Sequence, residues 1–153
     1  MKMIEILEKV LVQAMKKEPR AWLYEIQLVM VETDNGKVYP GNIYEMQIIF
    51  GMPFNRTLIY RIDKNEKITE KEIGEPWLED CPIPHKILNG LEAAFERMKQ
   101  ANLPYKEVYP EVILRHPLYP GVMEPAYFFS VEINGKKEFV SVGLFSANVQ
   151  LAK

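Results

Sequence analysis

The chain has 153 residues, 19 lysines and arginines against 21 aspartates and glutamates, and one cysteine. A chain this long can withdraw roughly 68–70% of its unfolded surface from water, enough for one compact domain or two small lobes sharing a core, without metal or disulfide staples. The near-neutral charge gives nucleic acid no basic stripe to bind, and no apolar run is long enough to suggest a membrane span.

Residues 1–17 scatter Glu5, Glu8, Lys9 and Gln13 among apolar positions, which is the pattern of an amphipathic helix and not of a secretory leader. With one unpaired cysteine as well, the sequence predicts a cytoplasmic protein. Met3, Leu7, Val10, Leu11 and Ala14 form the buried stripe of a helix over 3–17, ending before Pro19. Trp22, Tyr24, Ile26, Leu28 and Met30 then alternate with Glu25 and Gln27, so they are expected on one face of a strand. Asp34-Asn35-Gly36 supplies a tight turn. Tyr44, Met46, Ile48 and Phe50 share a face of a second strand, Leu58, Tyr60 and Ile62 of a third, and 67–73 reads as a charged edge strand.

Next comes a segment with prolines at 76, 82 and 84, expected to be a stiff connector anchored by Trp77 and Leu78. Ile87, Leu91, Ala94, Phe95 and Met98 then repeat the first helix stripe at the same spacing, which predicts a helix over 86–101 with Phe95 near its centre, as Leu7 is in the first. Strands follow at Val108, Val112 and Leu114, at Tyr127, Phe129, Val131 and Ile133, and over 139–144, the last two joined by an Asn134-Gly135 turn. Both halves contain Tyr-Pro-Gly, at 39–41 and 119–121, expected between their first and second strands. Matching stripes in matching order indicate an internal repeat, which settles fold class ahead of any motif. The expectation is an α+β protein of two tandem repeats, 1–73 and 85–153, around a connector at 74–84, each repeat a helix on a three- or four-stranded antiparallel sheet.

This element order, the duplicated stripes and the paired Tyr-Pro-Gly resemble tandem cystatin-like or PepSY-type repeat proteins, the architecture shared with beta-lactamase inhibitory proteins. The resemblance spans nearly the whole chain without a signature motif. It implies a protein-binding or inhibitory module; the absence of cofactor-binding motifs separately predicts that no cofactor is held.

Residues with catalytic potential are sparse. Three serines, Ser130, Ser141 and Ser146, sit in no nucleophile elbow. Cys81 and His85 are four apart, but Pro82 and Pro84 oppose the helix that would bring them together. His116 continues the even spacing of Val112 and Leu114, as a structural histidine at a strand end would. No zinc-ligand spacing and no phosphate-binding glycine cluster occurs. The acidic run Glu70, Glu72, Glu75, Glu79 and Asp80 reads as a solvated surface or as a contact for a basic partner.

Seven Phe, eight Tyr and two Trp exceed what the helix stripes require. The alternation places Tyr109, Ile113, Phe128 and Phe139 on the helix-free sheet face of the second repeat, beside Glu111 and Arg115. Aromatic side chains with a polar tip favour docking sites. The sequence therefore predicts a non-enzymatic intracellular module that binds another protein through Tyr39, Trp77, Tyr109, Tyr119 and Phe128, with homodimerisation through a sheet face or edge as a further partner choice. The alternative is a ligand-binding or enzymatic cone lined by Trp22, Tyr24, Tyr44 and Tyr60.

Overall fold

The computed structural model describes residues 1–77, 81–117 and 124–152. Helix α1 (Met3–Lys17) is followed by strands β1 (Trp22–Glu32), β2 (Val38–Met52), β3 (Arg56–Ile62) and β4 (Ile68–Ile73). Helix α2 (Leu91–Gln100) is followed by β5 (Glu107–Arg115), β6 (Ala126–Ile133), β7 (Lys136–Gly143) and β8 (Val149–Ala152). The fold is α+β, a helix and four antiparallel strands given twice. The two sets are not separate sheets: all eight strands hydrogen-bond in the order β4-β3-β2-β1-β5-β6-β7-β8, so β1 and β5 join the halves edge to edge.

Both helices cover one face. Met3, Ile6, Leu7, Val10 and Ala14 of α1 and Leu91, Ala94 and Met98 of α2 meet Ile26, Leu28, Ile48, Phe50, Leu58, Tyr60, Val112, Phe129 and Val140 in one core. A helix on an antiparallel sheet buries one sheet face and leaves the other without a partner. Here that second face is the unpartnered surface.

The second helix begins at Leu91, five residues later than expected, with Gly90 in an extended conformation at its N-cap and Leu88 81% exposed. Ile87 keeps its core position from outside the helix. Phe95 is only half-buried, edge-on to Phe129 at 5.9 Å, so Met98 and not Phe95 is the deepest side chain of α2.

Bulges in the β1–β2 pairing alter the expected strand phase. Opposite β2, Leu23 pairs with Phe50 but Glu25 with Ile49, leaving Tyr24 as an extra residue. Leu23 therefore joins Ile26, Leu28 and Met30 in the core, whereas Trp22 and Tyr24 turn to the other face. A second irregularity, between Val29 and Met30, leaves Tyr44 out of the β2 alternation and 41% exposed. Since an extra residue shifts all side chains before it to the opposite face, a strict period of two cannot survive a bulge. Trp22, Tyr24, Tyr44 and Tyr60 consequently do not share a cavity: Tyr60 is in the core, and the sheet ends at two open edges.

The connector is stitched to β1 on its way to α2. The Ile83 amide donates to the Leu23 carbonyl at 2.7 Å, the Leu23 amide donates to His85 Nε2 at 3.3 Å, and the Ile83 side chain is buried in the core.

Candidate functional site: the helix-free sheet face

Alternation along each strand places every second residue on the face away from the helices. One row can be followed across all eight strands by direct pairing: Thr69, Arg61, Gln47, Gln27, Ile113, Phe128, Ser141 and Gln150. Its first-half members are polar, and its apolar members, Ile113 and Phe128, lie side by side in the second half.

The end of this face nearest the connector is covered in the first half. Trp22 lies opposite Gly51, and Gly51 opposite Thr57. Trp22 and Tyr24 meet edge to face, 5.9 Å between centroids, over Gly51, where a Cβ would come within 2.4 Å of both rings. Glycine permits this close approach because it has no side chain. Trp77 and Pro76 of the connector complete a small hollow with these rings and Phe54, and the Thr57 hydroxyl donates to the Glu75 carbonyl at 2.8 Å. Beneath this cover Ile49 and Thr57 are wholly buried and Glu25 is 4% exposed, its carboxylate accepting from Gln27 Nε2 at 2.6 Å.

In the second half the face is open. Glu111, Ile113, Arg115, Phe128, Ser130, Lys137 and Phe139 line a groove of about 420 Å³. Phe128 is the floor, 8% exposed, with the Arg115 guanidinium over its ring at 5.6 Å, and Phe139 is a wall, 48% exposed. Lys137 sits over the Tyr109 ring at 5.5 Å. Both contacts lay a cation on the electron-rich face of an aromatic ring, so an apolar floor is bracketed by two positive groups with the exposed carboxylate of Glu111 beside them.

Of the residues predicted to bind a partner, Tyr109 and Phe128 are brought together here. Tyr39 pairs with Val31 inside β2, 55% exposed. The β1–β5 pairing ends at Val29 and Glu111, short of both Val31 and Tyr109. The Tyr39 loop is thus part of a strand, and not the linker between strands expected from the sequence. Trp77 lies half-buried at the other end, and Tyr119 lies outside the described residues. Phe128 is too covered to be a protruding anchor; Phe139 and Ile113 expose more of themselves. Ser130 and Lys137 were missed, although both share the even-odd phase of Phe128 and Phe139.

The remaining candidates are structural in their surroundings. His85 Nε2 is occupied by the Leu23 amide, while Cys81 is exposed. His116 is half-buried, one residue past β5. Among the described residues no group of three or more His, Cys, Asp or Glu could hold a metal ion. Burial pushes the Tyr127 hydroxyl well above its ordinary pKa, and this hydroxyl donates to the Asn89 carbonyl at 2.7 Å, a neutral bond that fastens the approach to α2 onto β6.

No family model matches the chain, and no curated protein matches it. Among solved structures it is similar to a "putative lipoprotein" from Clostridium difficile 630, with a TM-score of 0.62 and 15% identity over 94% of this chain and 89% of that one. At that identity the likeness shows the fold alone. The cytoplasmic placement expected from the sequence is withdrawn on this finding, since the similar structure is that of a "putative lipoprotein". No helix among the described residues is long and apolar enough to cross a membrane.

Proposed function

We propose that the chain is a binding module that docks another protein on its helix-free sheet face, with the β5–β7 groove as the centre of contact. The carrying observation is the groove itself: a Phe128 floor with Ile113 and Phe139 beside it on the sheet, rimmed by Glu111, Arg115 and Lys137. Specific interfaces place aromatic and aliphatic anchors at their centre and charged groups at their rim. A groove built on strands is preorganised, so a partner loses little to ordering it. The repeated order of a helix and four strands supports the same reading, being the order by which the chain resembles tandem cystatin-like and PepSY-type modules.

A photo-crosslinking amino acid placed at Ile113 or Phe139, in the source cell, tests the proposal. Discrete protein adducts are expected at both sites and not at Val12, which is 58% exposed on the outer side of α1. Adducts at Val12 alone, or at none of the three, overturn it. With the partner in hand, Phe139→Ala is expected to cost about 2 kcal/mol of binding with unchanged stability.

A further inference from the structure

The sheet has two edges, and they are finished differently. At one edge β4 reads Ile-Thr-Glu-Lys-Glu-Ile and is pinned from behind: Glu70 is paired with Lys17 of α1, and Glu72 with Arg56 of β3 at 2.9 Å. Charges on an edge strand discourage another chain from pairing with it. At the other edge β8 reads Val-Gln-Leu-Ala, with no charge and no proline.

Apolar surface collects around this second edge. Leu151 is 39% exposed, Phe139 of the adjacent strand 48%, and Phe145, in the turn leading into β8, 64%. That turn is held in place: the Glu124 carboxylate accepts the amides of Phe145 at 2.8 Å and Ser146 at 2.9 Å. Burial disfavours its charge, but the bonds from Ser146 and Phe145 outweigh this and keep the carboxyl below its ordinary pKa. On the helix side a separate hollow of about 400 Å³ lies between α2 and β7, lined by Asn89, Ala94, Glu96, Arg97, Val142 and Ala147.

We propose that β8 pairs antiparallel with β8 of a second copy of this chain about a two-fold axis, joining two sheets into one with all four helices on the same side. The pairing is self-complementary, since an antiparallel edge repeated by a two-fold offers each free donor an acceptor on its mate. Val149–Ala152 brings no like charges together. Leu151 of each copy meets the partner's β8 on the helix side, while Phe139 stands behind it on the other. Leu151 and Phe145 with the strand backbone fall short of the roughly 1,000 Å² in total that a stable specific interface buries. The dimer is therefore weak and reversible. It does not depend on what the helix-free face binds.

Sedimentation velocity of the full chain, in reductant so that exposed Cys81 forms no cross-link, reads the prediction directly. A monomer–dimer equilibrium with Kd on the order of 10–100 μM is expected. Leu151→Lys sets like charges across the two-fold and should weaken the dimer at least tenfold with an unchanged circular dichroism spectrum, whereas Ile113→Asp, on the sheet face, should leave it intact. If Leu151→Lys fails to fold, Phe145→Lys is read in its place. A monomer up to about 500 μM overturns the proposal. So does a dimer that survives Leu151→Lys but is lost in Ile113→Asp, which would move the contact to the face, and so does open-ended association without a dimer plateau.

Discussion

The two halves share one plan and spend it differently. The first half has the longer helix, its far edge is locked by ion pairs, and the connector end of its free face is roofed by Trp22, Tyr24 and Trp77. The second half has a helix five residues shorter, an unguarded edge and an uncovered aromatic groove. On the function proposed above, the first half would serve as the scaffold and the second as the contact surface, an arrangement a tandem repeat permits because one core serves both. The difference teaches that sequence repetition predicts shared topology and not shared chemistry.

The comparison is broken most severely through the helices. Leu7→Ala and Met98→Ala, at 2% and 0% exposure, should each destabilise the fold by about 2–5 kcal/mol through lost burial and a residual cavity. Phe95→Ala should cost only about 1–2 kcal/mol, because its ring is only partly buried at the edge of the core. Chemical denaturation checks the order. Equal losses for Leu7 and Phe95 would mean that α2 is as deeply seated as α1 and that the hollow beside it closes in solution.

The next effect concerns the roof on the first half. Gly51→Ala drives a methyl group into the Trp22 and Tyr24 rings and should cost about 1–3 kcal/mol. Both tryptophans of the chain border this hollow, so the emission maximum of the folded variant should shift with the loss. Unchanged emission would show that the rings do not lie over Gly51.

The scaffold edge also has a pH signature. Glu70 is hydrogen-bonded by Lys17 and, at 2.6 Å, by the Tyr60 hydroxyl, and these two bonds, in that order, hold its carboxyl below the ordinary value of 4.5. A depressed folded pKa means a contribution present above the unfolded value and lost as pH falls through the folded one. Burial, followed by the bond to Glu70, raises the Tyr60 hydroxyl well above its ordinary 10.0, so it stays a donor throughout this range. Glu70→Gln should therefore cost about 1 kcal/mol at neutral pH, given its partly exposed site, with the deficit shrinking below pH 4.5. A pH-independent deficit would remove the ionic part of the argument.

Much of this was legible in the residues. The helix stripe from Met3 to Ala14, the Asn134-Gly135 turn and the second-half face of Tyr109, Ile113, Phe128 and Phe139 all follow from period and turn chemistry, and each stands where the pattern puts it. The bulges at Tyr24 and Tyr44 were not legible, since an inserted residue leaves composition and spacing unchanged and only the register against β2 reveals it. The joining of the halves into one sheet was also hidden, because pairing of β1 with β5 is a long-range choice that no local propensity encodes. Nor does the sequence show that Phe128 lies beneath Arg115, a contact between strands.

The smallest effect, and the sharpest test of the division of labour, lies in the two corresponding hairpins. Between β6 and β7 the turn residues Asn134 and Gly135 have φ of 52° and 78°, values that Asn and Gly adopt at little cost. Between β2 and β3 the turn instead gives φ of 67° to Phe54 and 57° to Asn55, and leaves the Phe54 ring 84% exposed. A bulky residue in the left-handed region is strained, and its exposed ring recovers little by burial. If turn conformation alone decides, Phe54→Asn should raise stability by about 0.5–1 kcal/mol, seen as a higher denaturation midpoint with an unchanged slope. If stability falls instead, and Trp emission moves with it, the Phe54 ring is part of the roof over Gly51, and its strain is offset by contacts with Trp22 and Trp77 across the hollow they share. The first outcome marks Phe54 as a residue retained for something other than stability, on the half otherwise read as scaffold, and would extend the contact surface to that end of the sheet.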